Sequence, residues 1–196
     1  MRIPYVSDPP ATATEEDAAI VSRVRARRAP RPLQPLDLAL LHAPPVADGW
    51  NSFLGALRTR TGVAADVREL AICRVAVVNR AWYEWMHHAP LAVRAGVEET
   101  ALEGVKKEGA LAWEAKGEGL DERQWAALCY ADEMTRKVEV EDATFERLRG
   151  YFTEREVVEF TAVVAGYNCV SRFLVALNVG EKNGDGPDAA DGRHGG

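Results

Sequence analysis

The apolar residues of this chain recur at helical spacing, and this periodicity restricts its fold more than any other feature. One such stripe occupies positions i, i+3, i+4 and i+7 of a helix: Trp50, Phe53, Leu54 and Leu57. No stretch of useful length alternates apolar and polar residues with the two-residue period of a strand. We therefore predict an all-α protein, a helical bundle.

Helix caps and helix breakers divide the chain into predicted helices. Thr14 is predicted to cap the first helix, and Pro44-Pro45 is predicted to end the second. Gly96 is predicted to end the helix over about 81–95. The predicted helices span about 14–28, 36–42, 48–60, 66–78, 81–95, 98–108, 122–137, 142–149 and 153–179. The last is apolar on most sides, which is typical of a core helix or a subunit interface.

These segments predict three parts. We expect an N-terminal extension with one helix over 1–33 and a helical domain over 34–179. The Gly- and Asp-rich segment 180–196 has no large apolar residue, and we expect it to be disordered.

Composition excludes several classes of partner. The formal net charge of −6 argues against a nucleic-acid-binding surface. We find no secretory signal and no apolar run of the ~18 residues that a membrane span needs. The three cysteines, Cys73, Cys129 and Cys169, form no CxxC pair, which indicates a reducing compartment. We therefore expect a cytoplasmic protein that contacts neither nucleic acid nor membrane. The sequence has no glycine-rich phosphate-binding loop, so it gives no indication of a nucleotide cofactor.

Ionisable residues cluster between Asp66 and Gly96, among apolar helical residues. Glu84 and His88 lie four residues apart and share one helix face, His87 lies within reach, and Glu69 comes from the preceding helix: these residues could converge on one pocket. Alternatives remain open. Glu69 could serve only as a member of a helix capping box. Glu84 and His88 could be an ordinary solvent-exposed i, i+4 pair, and His87 could be a half-buried surface histidine. Metal ligation is a weaker alternative, because the HExxH spacing is missing.

Neighbouring residues are candidates for binding a substrate. Arg74 lies in an apolar helix and needs a carboxylate, either from the protein or from a ligand. We consider it as an anchor for a substrate carboxylate. Aromatic walls of a pocket could come from four residues of a kind that more often belongs to a plain core: Trp82, Tyr83, Trp85 and Tyr167.

The segment from Asp66 to Gly96 resembles the signature region of the carboxymuconolactone decarboxylase and alkylhydroperoxidase D (AhpD-like) family. The clearest form of that motif is a Glu, then CxxC, then a His four positions after the second Cys, and an Ala-Gly. Aligned without gaps, the motif's Glu, two Cys and His fall in order on Glu69, Ala81, Glu84 and His88. The resemblance implies an AhpD-like helical bundle that assembles as a homotrimer or hexamer.

The two motif cysteines are missing, so the resemblance points to the decarboxylase branch, which needs no cofactor. It implies a lyase or isomerase for a small carboxylated or lactone-like metabolite. His88 would be the general acid/base, Glu84 would orient it, and Glu69 would be a second acid/base, with His87 nearby. We expect burial to raise the pKa values of these carboxylates. The alternatives are a peroxiredoxin-type redox protein, which would need a reactive Cys73, and a non-catalytic oligomeric binding protein.

Overall fold

The computed structural model describes residues 1–189, and within this range the secondary structure is helical, without strands. The all-α prediction is confirmed. The helices are α1 Glu15–Arg28, α2 Pro35–Leu40, α3 Pro44–Thr59, α4 Ala65–Val78, α5 Trp82–Arg94, α6 Glu99–Val105, α7 Glu122–Lys137, α8 Asp142–Arg149 and α9 Glu154–Leu177. The last part of the predicted disordered tail, residues 190–196, lies outside the described residues.

The chain forms two compact units. The first comprises Met1–Arg60 with Leu177–Glu181, and the second comprises Thr61–Ala176 with the residues from Lys182 onward. The division into an extension, a helical domain and a tail stays a prediction.

In the first unit, α1 packs on α3. Thr14 caps α1 as predicted, because its side chain accepts a hydrogen bond from the Asp17 backbone N–H at 3.0 Å. The predicted role of Pro44 and Pro45 is wrong. They do not end α2 but form the first turn of α3, where proline is tolerated because its missing N–H would have no helical partner.

In the second unit, α4 lies against both α5 and α7 and is buried on nearly all sides. It ends in a Schellman motif, in which the Ala81 N–H bonds to the Ala76 carbonyl at 2.8 Å and the Arg80 N–H to the Val77 carbonyl at 3.1 Å. This tight reversal lets α5 return alongside α4. Gly96, with φ of +96°, follows the end of α5 as predicted.

By length and composition alone, α9 is the one helix in residues 1–189 that could cross a membrane. Phe160, Val163, Val164 and Tyr167, however, are fully buried in the protein. Their burial accounts for the apolar composition of α9 without a membrane.

Candidate active site

The centre of the candidate site is a buried hydrogen bond between α4 and α5. The Nδ1 atom of His88 lies 2.7 Å from Oε2 of Glu69. Both residues are buried, with exposed fractions of 8% and 6%. The rings of His88 and Tyr167 also pack edge to face, with their centroids 5.0 Å apart. Two residues separated by 19 positions are thus brought together by the return of α5 along α4.

Glu69 is held as a carboxylate. Burial alone would raise its pKa, but the hydrogen bond and charge of His88, together with Arg68 at 3.3 Å, outweigh burial and leave the pKa below its ordinary value. The expectation that burial raises this pKa is therefore wrong. A packed cation partner reverses the effect of burial, and the sequence does not show that packing.

An ionised Glu69 also fixes the state of the imidazole. Because a carboxylate can only accept a hydrogen bond, Nδ1 of His88 is the donor in this pair. The neutral ring then carries its proton on Nδ1, and Nε2 is the basic nitrogen. This arrangement suits proton transfer through Nε2.

Glu84 lies one turn before His88 and is oriented by α9. Its Oε2 accepts a hydrogen bond from Oγ of Ser171 at 3.0 Å, and Ser171 also lies 2.9 Å from the carbonyl of Tyr167. The carboxylate that bonds to Nδ1 of His88 is that of Glu69. Orienting the His88 ring was the role predicted for Glu84, and in the structure Glu69 has that role. Sequence reasoning missed Ser171, because one hydroxyl in an apolar helix gives no signal.

Tyr83 and His87 pair with each other beside the site. Their ring centroids are 4.4 Å apart, and Nδ1 of His87 lies 2.8 Å from the Tyr83 carbonyl. Their role in substrate binding stays a prediction. Trp82 lies two residues before Glu84, about 200° around the helix from it. Its role in substrate binding also stays a prediction.

Arg74 is a structural residue, and the prediction that it anchors a substrate carboxylate is wrong. Its side chain is fully buried, with an Nε to Asp132 Oδ1 distance of 2.8 Å and an Nη2 to Oδ1 distance of 2.6 Å. The guanidinium also donates to three backbone carbonyls, those of Val105, Lys107 and Gly109. All five of its N–H groups are thus used within the protein. The partner carboxylate lies 58 positions away, beyond the reach of sequence reasoning.

Cys73 is unsuited to thiol chemistry. It is fully buried, and burial, followed by the charges of Glu69 and Glu84, raises its pKa well above the ordinary value. Cys129 is also buried, and its pKa is raised to about 12, mainly by burial. The redox alternative, which needs a reactive Cys73, therefore has no support.

Alkylation of the native protein with iodoacetamide at neutral pH is expected to modify Cys169 and to spare Cys73 and Cys129. Cys169 is exposed, whereas the other two thiols are shielded and poorly ionised. Peptide mass spectrometry gives the rate at each site, with denatured protein as the control in which all three react. Modification of Cys73 as fast as Cys169 would contradict this description.

Comparisons with known proteins support the family. A model of the carboxymuconolactone decarboxylase family matches residues 44–133, a range that includes Glu69, Glu84 and His88. No curated protein matches the chain. Within residues 1–189, no group of three or more His, Cys, Asp or Glu side chains is placed to hold a metal ion. The absence of a cofactor stays a prediction.

Solved structures share the fold at low sequence identity. An uncharacterized peroxidase-related protein from Ralstonia eutropha JMP134, described as an alkylhydroperoxidase AhpD core, is 21% identical with a TM-score of 0.73, over 91% of this chain and 90% of that one. A peroxidase-related protein from Silicibacter sp. TM1040 is 19% identical with a TM-score of 0.69, over 93% and 95%. The debrominase Bmp8, in complex with 2,3,4-tribromopyrrole, is 15% identical with a TM-score of 0.67, over 91% and 93%.

The family match and the shared fold confirm the resemblance seen in the signature segment. Residues 44–133 of this all-helical chain are similar to the carboxymuconolactone decarboxylase family, and the chain has an AhpD-like fold.

Proposed function

We propose that the protein is a cofactor-independent lyase or isomerase that moves a proton on a small carboxylated or lactone-like metabolite. The observation that carries this proposal is the buried 2.7 Å hydrogen bond between His88 and Glu69. A histidine whose Nδ1 is fixed by an ionised carboxylate is a common general acid/base. The family match supports the substrate class.

The proposed chemistry is a proton transfer through Nε2 of His88. In an isomerisation, Nε2 takes a proton from the carbon next to a carbonyl and returns it at another position. In a decarboxylation, the carbon–carbon bond breaks, its electron pair enters the enolate and carbon dioxide leaves. His88, which has first taken a proton from solvent on Nε2, then delivers that proton to the carbon. In both cases the charge of Glu69 stabilises the imidazolium. Glu84, positioned by Ser171, supplies a second carboxyl group one turn away.

Two other functions were considered from the sequence. A thiol peroxidase needs a nucleophile where this chain has Ala81 and Glu84, and Cys73 is buried with a raised pKa. A non-catalytic binding protein has the same Glu and His residues without turnover, so only an activity measurement separates it from the enzyme. Assembly as a homotrimer or hexamer stays a prediction.

The test is proton–deuterium exchange in D₂O, followed by NMR on a panel of small keto acids and carboxylated lactones. We expect exchange next to the carbonyl of at least one compound, and a loss of about 10²–10⁴-fold in His88→Ala, the range for a general acid/base. His42→Ala is the matched control and is expected to retain most of the rate. His42 is an exposed histidine of the first unit, and its Nε2 lies 2.8 Å from the Pro4 carbonyl.

Two outcomes contradict the proposal. Exchange that is as fast in His88→Ala as in the wild type removes the general-base role. Binding of a panel member without exchange or turnover favours the non-catalytic binding protein.

A further inference from the structure

One cavity, of about 520 Å³, has a lining that does not include His88. It is bounded by the end of α4, the start of α5 and the loop 183–187. Its volume lies within the range of about 300–1,000 Å³ that is usual for small-molecule sites. The ionisable and aromatic side chains that line it are Arg80, Trp82, Lys106, Glu108, Arg136 and Asp185.

Arg80 stands where the backbone favours glycine. It is the residue with positive φ, +54°, in the Schellman motif that ends α4. A side chain is strained in this conformation, and glycine is the usual residue at this position. The sequence nevertheless has an arginine there, and its exposed guanidinium makes no hydrogen bond or ion pair within residues 1–189.

The other basic residues of the cavity are fixed by the protein. Lys106 Nζ lies 2.9 Å from carboxylate oxygens of both Glu103 and Asp188. Arg136 bonds through Nε to Asp132 and through Nη2 to the Glu108 carbonyl. Within the described chain, Arg80 is therefore the cation of this cavity left to bind an anion.

Within residues 1–189, neither acidic residue of the cavity bonds to Arg80. Asp185 pairs with Lys182 at 2.9 Å, and the Glu108 carboxylate forms no ion pair with Arg80. Trp82, half-buried, adds an aromatic surface two residues from Arg80. The start of α5 at Trp82 has no side-chain cap, and its partial positive charge also favours an anion.

We propose that this cavity is a second binding site, specific for small aromatic carboxylates. The carboxylate binds the guanidinium of Arg80, and the aromatic ring packs on the indole of Trp82. His88 does not line this cavity, and the proposal does not depend on the chemistry proposed at His88.

The test uses benzoate as the probe, with isothermal titration calorimetry for Kd and NMR for location. Benzoate is expected to shift the Trp82 indole N–H resonance and the amide resonances of 80–82. Arg80→Gly is expected to raise the Kd at least tenfold without lowering the Tm, because glycine relieves the backbone strain. Val138→Gly is the matched control. Val138 also has positive φ, +69°, and is 80% exposed but lies outside the cavity, so its Kd should equal that of the wild type.

Other probes separate the aromatic and ionic contributions. Cyclohexanecarboxylate and inorganic phosphate are both expected to bind more weakly than benzoate, because neither presents an aromatic face to Trp82. An unchanged Kd in Arg80→Gly overturns the proposal. So does benzoate that shifts the resonances of His88 and leaves those of Trp82 in place, or phosphate that binds as tightly as benzoate.

Discussion

Replacement of Arg74 by alanine is expected to lower the free energy of unfolding by about 3–5 kcal/mol, the range for breaking a buried ion pair from one side. The variant leaves the buried Asp132 with Arg136 as its remaining cation. It also removes the donors to three carbonyls in the segment that follows α6. Buried carbonyls that lose their donors add to the cost.

Urea unfolding followed by circular dichroism measures this change. Arg155→Ala is the matched control, because Arg155 forms an exposed ion pair with Glu159 and its side chain is 80% exposed. Exposed pairs contribute little, so we expect the urea midpoint of Arg155→Ala to match that of the wild type. If both variants unfold at the same urea concentration, Arg74 is not the structural residue described above.

Replacement of Glu69 by glutamine is expected to lower the rate of proton exchange about 10²-fold or more, by the magnitude usual for acid–base groups. Glutamine keeps the size of the side chain and an acceptor oxygen, but it removes the negative charge that stabilises the His88 imidazolium. Glu146→Gln is the control, because Glu146 is exposed and pairs only with Arg149 among the described residues. Equal rates in wild type and Glu69→Gln would show that the charge has no role.

The same variant has an expected dependence on pH. The pKa of Glu69 lies below the ordinary value of 4.5 in the folded protein, so its ionisation stabilises the fold above that pH. This contribution is lost as the pH falls through the folded-state pKa. The stability difference between wild type and Glu69→Gln is therefore expected to shrink as the pH falls below about 4.5. A difference that still grows as the pH falls below 4.5 would contradict the lowered pKa.

The helical fold was predictable from sequence, and so was the approach of Glu69 to His88, but not the hydrogen bond between them. Apolar spacing and caps place most helices, and the caps at Thr14 and Gly96 are both present in the structure. The break at Asn79-Arg80 allows α5 to fold back on α4, so Glu69 and His88 were expected to converge. The aligned motif includes both residues.

The remaining contacts depend on packing between distant segments. The spacing within α5 predicted that His88 pairs with Glu84. In the structure α5 returns along α4, and Nδ1 of His88 bonds to Glu69 instead. Glu84 is oriented by Ser171, 87 positions away in the chain. The partner of Arg74 likewise belongs to another helix, α7, and turns a candidate ligand anchor into a structural residue. Local periodicity contains no information on such pairs.

The most direct test of the central claim is the protonation state of the His88 ring, measured by long-range ¹H–¹⁵N NMR at a pH where the ring is neutral. The His88→Ala spectrum assigns the resonances. The hydrogen bond to Glu69 predicts that the proton resides on Nδ1 and that Nε2 is unprotonated, ready to accept a proton from a substrate. A neutral ring protonated on Nε2 would contradict the account, because that nitrogen then could not act as the base.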